Sequence, residues 1–335
     1  MKKWYQLVGK ENDVVIGTKV TMSRNVKGYN FTCRLSADEQ YEISAEVLSI
    51  LASRLPDKFI STRMCDLDRY EAISLAERNL VTPDFVSAAE GKTFITTHDE
   101  SLSIMVCEED HLKLQAMLPG LELDSAFELA DKLDTILDEN LGFAFDRKLG
   151  YLTMCPTNIG TGMRATVMLQ LPGIKARSSI QHLSNTVSKL GLSLTGAFGE
   201  GDNPIGSLYQ LSNQVTLGIS EEAALANLNS ISLSIIQQER ECRKSLSSNL
   251  DFEDSLWRSY GTLKNARVLS YNEFMNEASI VKIGITNGEI HIKDSELNEL
   301  FFTMQPATIN AASGTFLDRQ IRDAKRAEVV RNIFE

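Results

Sequence analysis

Two acidic stretches, one cysteine-led turn and a scatter of cations carry the side chains from which a phosphoryl transfer could be assembled. Glu108, Glu109 and Asp110 stand together in EEDH, Cys155 opens CPTNIGTGMRATVM, which runs to Met168, and Glu200 follows Gly199 in TGAFGEG. Moving a phosphoryl group onto a guanidinium needs cations around the nucleotide phosphates, carboxylates that hold and deprotonate the acceptor, and alignment of the two. The carboxylates matter because a guanidinium with a pKa above about 12 is no nucleophile until a base takes its proton. A cysteine beside cations is more readily ionised, and its thiolate would steady a cationic substrate. Each piece alone has a plainer reading. EED is ordinarily a solvated turn, a single cysteine a small buried hydrophobe, and GEGDNP a loop between strands.

These residues need a scaffold. Ala126, Leu129, Ala130, Leu133 and Leu137 share one helical face behind an acidic first turn at Glu122 and Asp124. Ile180, Leu183, Val187 and Leu190 repeat the pattern, with Gly191 at the C-terminal cap, and a longer helix begins after Ser220 with Glu221 and Glu222 in its first turn. Strand-forming segments lie between them at 103–107, 151–154, 165–171, 192–198 and 207–217. GEGDNPIG is too short for a crossover helix, so the last two should pair antiparallel. The pattern predicts an α+β fold, a mainly antiparallel sheet flanked by helices. From about Asp251 the texture turns helical and charged, which places a larger domain at 1–248 and a smaller helical one at 249–335.

Composition narrows the class. With 335 residues, 43% hydrophobic and 24% charged, the chain has the balance of a globular protein. A formal charge of -11 argues against nucleic acid as a partner, because a phosphate backbone demands a basic footprint. MKKWYQLVGKENDVV lacks the apolar stretch of a signal peptide, and no run approaches the ~20 apolar residues of a membrane span, so a cytoplasmic location is expected. The five cysteines (Cys33, Cys65, Cys107, Cys155, Cys242) include no CxxC pair, and His98, His111, His182 and His291 have no ligand-like spacing. Neither a disulfide framework nor a protein-bound structural metal is expected.

The run CPTN-x-GTG-x-RA resembles the signature of the ATP:guanidino phosphotransferases, the phosphagen kinases and bacterial protein arginine kinases. DVVIGTKVTMSRN, EEDHLK, TGAFGEG and QLSNQVTLG are similar to further family segments in the family's order. The resemblance spans nearly the whole chain. RSYG at Arg258, RDAKRA at Arg322 and the lack of an extra N-terminal helical domain look like the protein arginine kinases. It implies catalytic roles for Glu109 and Glu200, and for Cys155 a contact with the guanidinium. It implies an ATP site, with magnesium carried on the ATP, at Gly17, Thr18, Lys19, Thr21, Asn79, Lys113, Arg164, Ala165, Thr166, Val167, Met168, Thr195, Gly196 and Gly199.

On the donor side the sequence departs from the family. Five arginine positions read Lys19, Thr21, Lys113, Arg164 and Thr195, a histidine reads Asn79, and a serine reads Gly17. Lysine keeps charge without the two-pronged fit to phosphate, and threonine keeps neither. If a charge-assisted contact contributes about 1.5–3 kcal/mol, the two threonines remove roughly 3–6 kcal/mol. Expressed in the transition state that is roughly two to four decades of rate. Arg24 and Lys27 are the candidate replacements nearby. In RDAKRA, Arg322 and Arg326 stand one helical turn apart. A solvated, salt-bridged face is the plain reading, and the resemblance implies a phosphoarginine pocket at Arg322, Asp323, Arg326 and Ala327.

Three functions follow as expectations: a kinase for arginine side chains of proteins, a catalytically weak binding module for arginine or phosphoarginine that regulates partners, and a kinase for a free guanidino metabolite. The resemblance further implies a homodimer, a zinc-containing activator protein, an unfoldase-protease partner and a stress-response setting.

Overall fold

A computed structural model of the chain describes residues 1–198 and 204–334. Gly199 and Glu200 lie outside the described residues.

Among the described residues ten strands run in chain order: β1 (Val15–Arg24), β2 (Phe59–Arg63), β3 (Thr93–Thr97), β4 (Leu102–Val106), β5 (Leu112–Pro119), β6 (Phe145–Asp146), β7 (Gly150–Tyr151), β8 (Met163–Gln170), β9 (Leu192–Gly196) and β10 (Leu208–Asn213). Eight form one sheet in the order β2-β3-β4-β5-β1-β8-β10-β9, and every pairing in it is antiparallel. The α-helices that accompany the sheet are α1 (Ala37–Arg54), α2 (Arg69–Glu77), α3 (Pro83–Ser87), α4 (Leu123–Leu141), α5 (Pro172–Ala176), α6 (Ile180–Lys189) and α7 (Glu221–Leu246). After them come α8 (Leu250–Asn265), α9 (Tyr271–Thr286), α10 (Asp294–Thr303), α11 (Pro306–Ser313) and α12 (Arg319–Phe334). The fold is α+β, with a helical C-terminal region.

Helices α4, α6 and α7 occupy the segments their periodicity predicts. Ser220 caps α7 by accepting the Ala223 N–H, and Gly191 takes the left-handed φ of 76° that ends the turn after α6. Two strands are shorter than their composition suggests. The 151–154 segment is extended only at Gly150–Tyr151, because the next residues turn to follow the Cys155 loop, and β10 stops at Asn213, leaving Val215 and Leu217 exposed.

Strand alternation divides the sheet into two chemically distinct faces. Val20, Met22, Leu114, Ala116, Ala165, Val167 and Leu211 point to a core closed by α1, α4, α6 and α7. On the other face, Met105, Met117 and Met168 join a second core with Trp4, Phe85 and the C-terminal helices. Between α2, α3 and the sheet, the second face stays open as a cleft.

Candidate active site

The cleft has a volume of about 930 Å³, and its wall includes Lys19, Thr21, Asn79, Lys113, Arg164, Thr166 and Thr195. Register explains the convergence. Lys19 lies opposite Thr166 on one side and Met117 on the other, and Thr21 lies between Arg164 and Gln115. Thr166 in turn faces Ser212, and Thr195 faces Gln210. Residues far apart in sequence thus meet as rows across adjacent strands.

The electrostatics fit an anion. Burial, together with the Lys113 and Arg164 charges, pushes the Lys19 ammonium down to about 8. Lys113 is held by Glu108, Nζ to Oε2 at 3.3 Å, and Glu108 also accepts the Thr82 hydroxyl at 2.8 Å. Asn79 adopts a left-handed φ of 60° after α2, and its buried Nδ2 donor has no partner among the described residues. Phosphate oxygens would relieve the cation crowding and accept that donor, so the residues present fit a nucleotide's phosphates.

The depressed ammonium has a consequence for stability. A folded pKa near 8, below the unfolded 10.5, means the folded state holds this proton less tightly. The resulting penalty is fully present below pH 8 and disappears as pH rises past the unfolded value. Lys19→Met should therefore stabilise the free protein at pH 7 by as much as about 3 kcal/mol, with most of the gain gone by pH ~11. Denaturant unfolding at the two pH values checks this.

On the acceptor side, the Cys155 side chain stands near enough to Glu109 to act on its carboxyl. Burial raises the Glu109 carboxyl above its ordinary range, the Asp110 and Glu108 charges add to the rise, and Lys113 and the Cys155 contact pull it partly back. The Cys155 thiol also lies 3.0 Å from the Thr157 hydroxyl. Asp110 ties the two loops together, one carboxylate oxygen accepting the Met154 N–H at 2.7 Å and the Asn25 amide at 2.6 Å. The Asn25 side-chain Oδ1 accepts the His111 main-chain N–H at 3.0 Å. The buried His111 ring accepts the Val26 N–H at Nδ1 and donates from Nε2 to the Asn30 carbonyl, so this histidine is structural.

Several sequence expectations are relocated. Thr18, Ala165 and Val167 face away from the cleft: Ala165 and Val167 sit in the core, and the Thr18 hydroxyl donates to the Gly120 carbonyl at 2.7 Å. Gly17 is on the cleft side but covered by Trp4, whose ring would stand 2.6 Å from an added Cβ. Met168 is buried beside that cluster, and Gly196 pairs with Tyr209 at the end of β9. Arg24 is no replacement cation: it is buried, donating to the Ser23 and Thr161 carbonyls and to Asp134, where it props the Cys155–Gly162 loop. Lys27 is exposed and off the cleft wall, whereas Arg69 of α2, which sequence reasoning missed, is on it.

The RDAKRA segment divides. Arg326 is fully buried, donating to the carbonyls of Met304 and Leu269 and to Asp323, and Ala327 is core. The solvated reading fails for it: Nε and Nη1 hold α12 against its neighbours, and the buried Nη2 has no hydrogen-bond partner among the described residues. Arg322 instead lines a hollow of about 330 Å³ with Arg69, Tyr70, Glu77 and Phe316. Among the described residues no group of three or more His, Cys, Asp or Glu is placed to hold a metal, and no helix is long and apolar enough to cross a membrane.

The fold has solved counterparts. Lombricine kinase superposes with a TM-score of 0.60 at 20% identity, covering 70% of each chain. The duplicated taurocyamine kinase of Schistosoma mansoni, with transition-state analogue components bound, gives 0.61 at 22%, covering 70% of this chain and 34% of that one. At such identity they establish architecture alone. The family model for the ATP:guanido phosphotransferase C-terminal catalytic domain matches residues 42–242, and that for the protein-arginine kinase McsB C-terminal domain matches 249–335. The chain belongs to the ATP:guanido phosphotransferase family. Within it, the protein-arginine kinase of Halothermothrix orenii is 39% identical over 334 residues, 99% of this chain and 96% of that one. The protein-arginine kinase of Clostridium acetobutylicum is also 39% identical, over 336 residues and 99% of each chain.

Proposed function

We propose that this protein moves the γ-phosphoryl group of Mg-ATP onto arginine guanidinium groups of proteins. The observation that carries the reading is the meeting of Lys19, Lys113 and Arg164 on one cleft, with Lys113 bound to Glu108, the neighbour of the Glu109–Cys155 pair. Magnesium arrives on the nucleotide and offsets charge on its phosphates. Lys19, Lys113 and Arg164 hold those phosphates in line. Glu109 takes a proton from the guanidinium, and the freed nitrogen lone pair attacks the γ-phosphorus as the bond to ADP breaks. Cys155 steadies the cationic acceptor beside it. Glu200 is the second carboxylate in this reading. Arg322, on its hollow with Arg69, is the residue of the RDAKRA pair that would take phosphoarginine from solvent.

A second reading is a binding module that no longer transfers phosphate. Two observations favour it: the Thr21 hydroxyl is spent on the Arg164 carbonyl at 3.1 Å, and both Thr21 and Thr195 line the cleft without charge.

Calorimetric titration with Mg-ATP, followed by turnover on an arginine-rich protein and on free arginine, separates the readings. ATP binding with transfer to the protein supports the kinase, and transfer to free arginine alone would move the substrate to a metabolite. ATP binding without transfer to either would leave the module. The kinase also predicts a pH profile: kcat/KM should rise as Glu109 loses its proton, above the ordinary carboxylate range, and fall as Lys19 loses its charge through about 8. Bound nucleotide favours the charged ammonium, so the falling limb of kcat should lie higher. A falling limb at the same pH in both parameters would remove Lys19 from the phosphate contacts.

A further inference from the structure

The cations and the Glu109–Cys155 pair mark where phosphate and guanidinium meet, so a nucleobase must lie along the remainder of the cleft. That remaining wall carries apolar side chains, Ile73 and Ala76 from α2 and Phe198 after β9, suited to a flat ring. One lining residue among those described comes from the C-terminal helices. It is Gln305, which sits between α10 and α11 and is 5% exposed.

Its amide orientation is chemically determined. Gln305 lies 2.5 Å from the Glu77 main-chain carbonyl, which can only accept a hydrogen bond, so Nε2 must point there. The carbonyl oxygen Oε1 is left as an acceptor with no hydrogen bond among the described residues. The mount is rigid: the Glu77 carboxylate accepts the Ala307 and Thr308 N–H groups at 2.9 and 2.7 Å and so caps α11 directly after Gln305. Phe198 is braced from the same region, its ring edge-on to Phe302 with centroids 6.0 Å apart.

We infer that Gln305 is a specificity-determining residue for the nucleotide, its Oε1 accepting a hydrogen bond from an exocyclic amine on the base. An acceptor held in place favours a 6-amino purine and disfavours a 6-oxo purine, whose oxygen would face another oxygen across a desolvated contact. The cleft is then completed by the C-terminal helices. This inference rests on the nucleotide reading proposed above.

ATP and ITP differ at that edge and keep the same ribose and phosphates. Their Mg complexes should be titrated into the full chain and into Gln305→Met, an apolar side chain of similar length. Wild type is expected to bind ATP roughly ten-fold more tightly than ITP, one good hydrogen bond's worth. Gln305→Met should bring that ratio close to one, chiefly by weakening ATP. Thermal unfolding of both proteins reports whether the α11 cap survives, and Gln305→Ala supplies a second variant if the methionine packs badly. A wild-type ratio near one, or variants that weaken both nucleotides equally with the ratio unchanged, would overturn the inference and leave the nucleotide reading standing. Binding of neither nucleotide to wild type would remove both.

Discussion

Glu109→Gln is expected to lower phosphoarginine formation by about three orders of magnitude while leaving Mg-ATP affinity within about a factor of two. The amide keeps the shape and the contact with Cys155 but cannot take the guanidinium proton. Nucleotide affinity should hold because the proposed phosphate contacts, Lys19, Lys113 and Arg164, include no partner of Glu109. The folded protein should also gain a little stability. Glu109 sits beside Asp110 and Glu108, and its raised pKa reflects burial and their repulsion. A folded carboxyl pKa above the unfolded one is a penalty at neutral pH that fades as the group protonates, so the gain should shrink on acidification. Initial rates, calorimetry and denaturant unfolding at pH 7 and 5 test all three parts. A rate loss under about ten-fold would remove Glu109 as the base.

Restoring cations should do the opposite. Thr21→Arg together with Thr195→Arg is expected to raise kcat/KM by roughly two to four decades, if each new charge-assisted contact contributes about 1.5–3 kcal/mol in the transition state. Thr195 is exposed on the outermost strand, so a long side chain has room there. Thr21 is 8% exposed and stands opposite Arg164 in register, so an arginine there must share its row with an existing cation. In the free protein the crowding should be unfavourable by up to about 1 kcal/mol. Weaker stability without nucleotide combined with faster turnover in its presence is the expected signature. A gain under about ten-fold would mean that Arg69, already on the cleft wall, has taken over the lost role. The triple variant with Arg69→Ala would then fall below the double one.

The row of cleft-facing cations and the thiol loop are legible in the sequence for a physical reason. Side chains that must share a cleft face recur at every second position of a strand, and Lys19 with Thr21, Lys113 with Gln115, and Arg164 with Thr166 all do so. That alternation also sends Thr18, Ala165 and Val167 to the opposite face, a distinction that a run of consecutive family positions conceals. The remaining differences come from contacts between segments far apart in the chain. Trp4 fills the space above Gly17, Asp134 claims Arg24, and the carbonyls of Leu269 and Met304 claim Arg326. Gln305 reaches the cleft only because Glu77 caps α11, and no local pattern in either segment encodes that pairing. Asn25 and Asp110 could have been suspected from their place beside the motifs, yet their role in tying the Glu109 and Cys155 loops together needs the fold.

Whether the thinned cradle still supports transfer is decided most directly by looking for the product bond. The full-length protein would be incubated with Mg-ATP and an arginine-rich protein at pH 7.5, and the substrate examined by phosphorus NMR and peptide mass spectrometry under non-acidic conditions. The expected result is a base-stable, acid-labile phosphoramidate on arginine side chains, formed slowly, and lost with Glu109→Gln. Tight Mg-ATP binding with no phosphoarginine after many hours, from a protein that Thr21→Arg with Thr195→Arg fails to activate, would contradict the account.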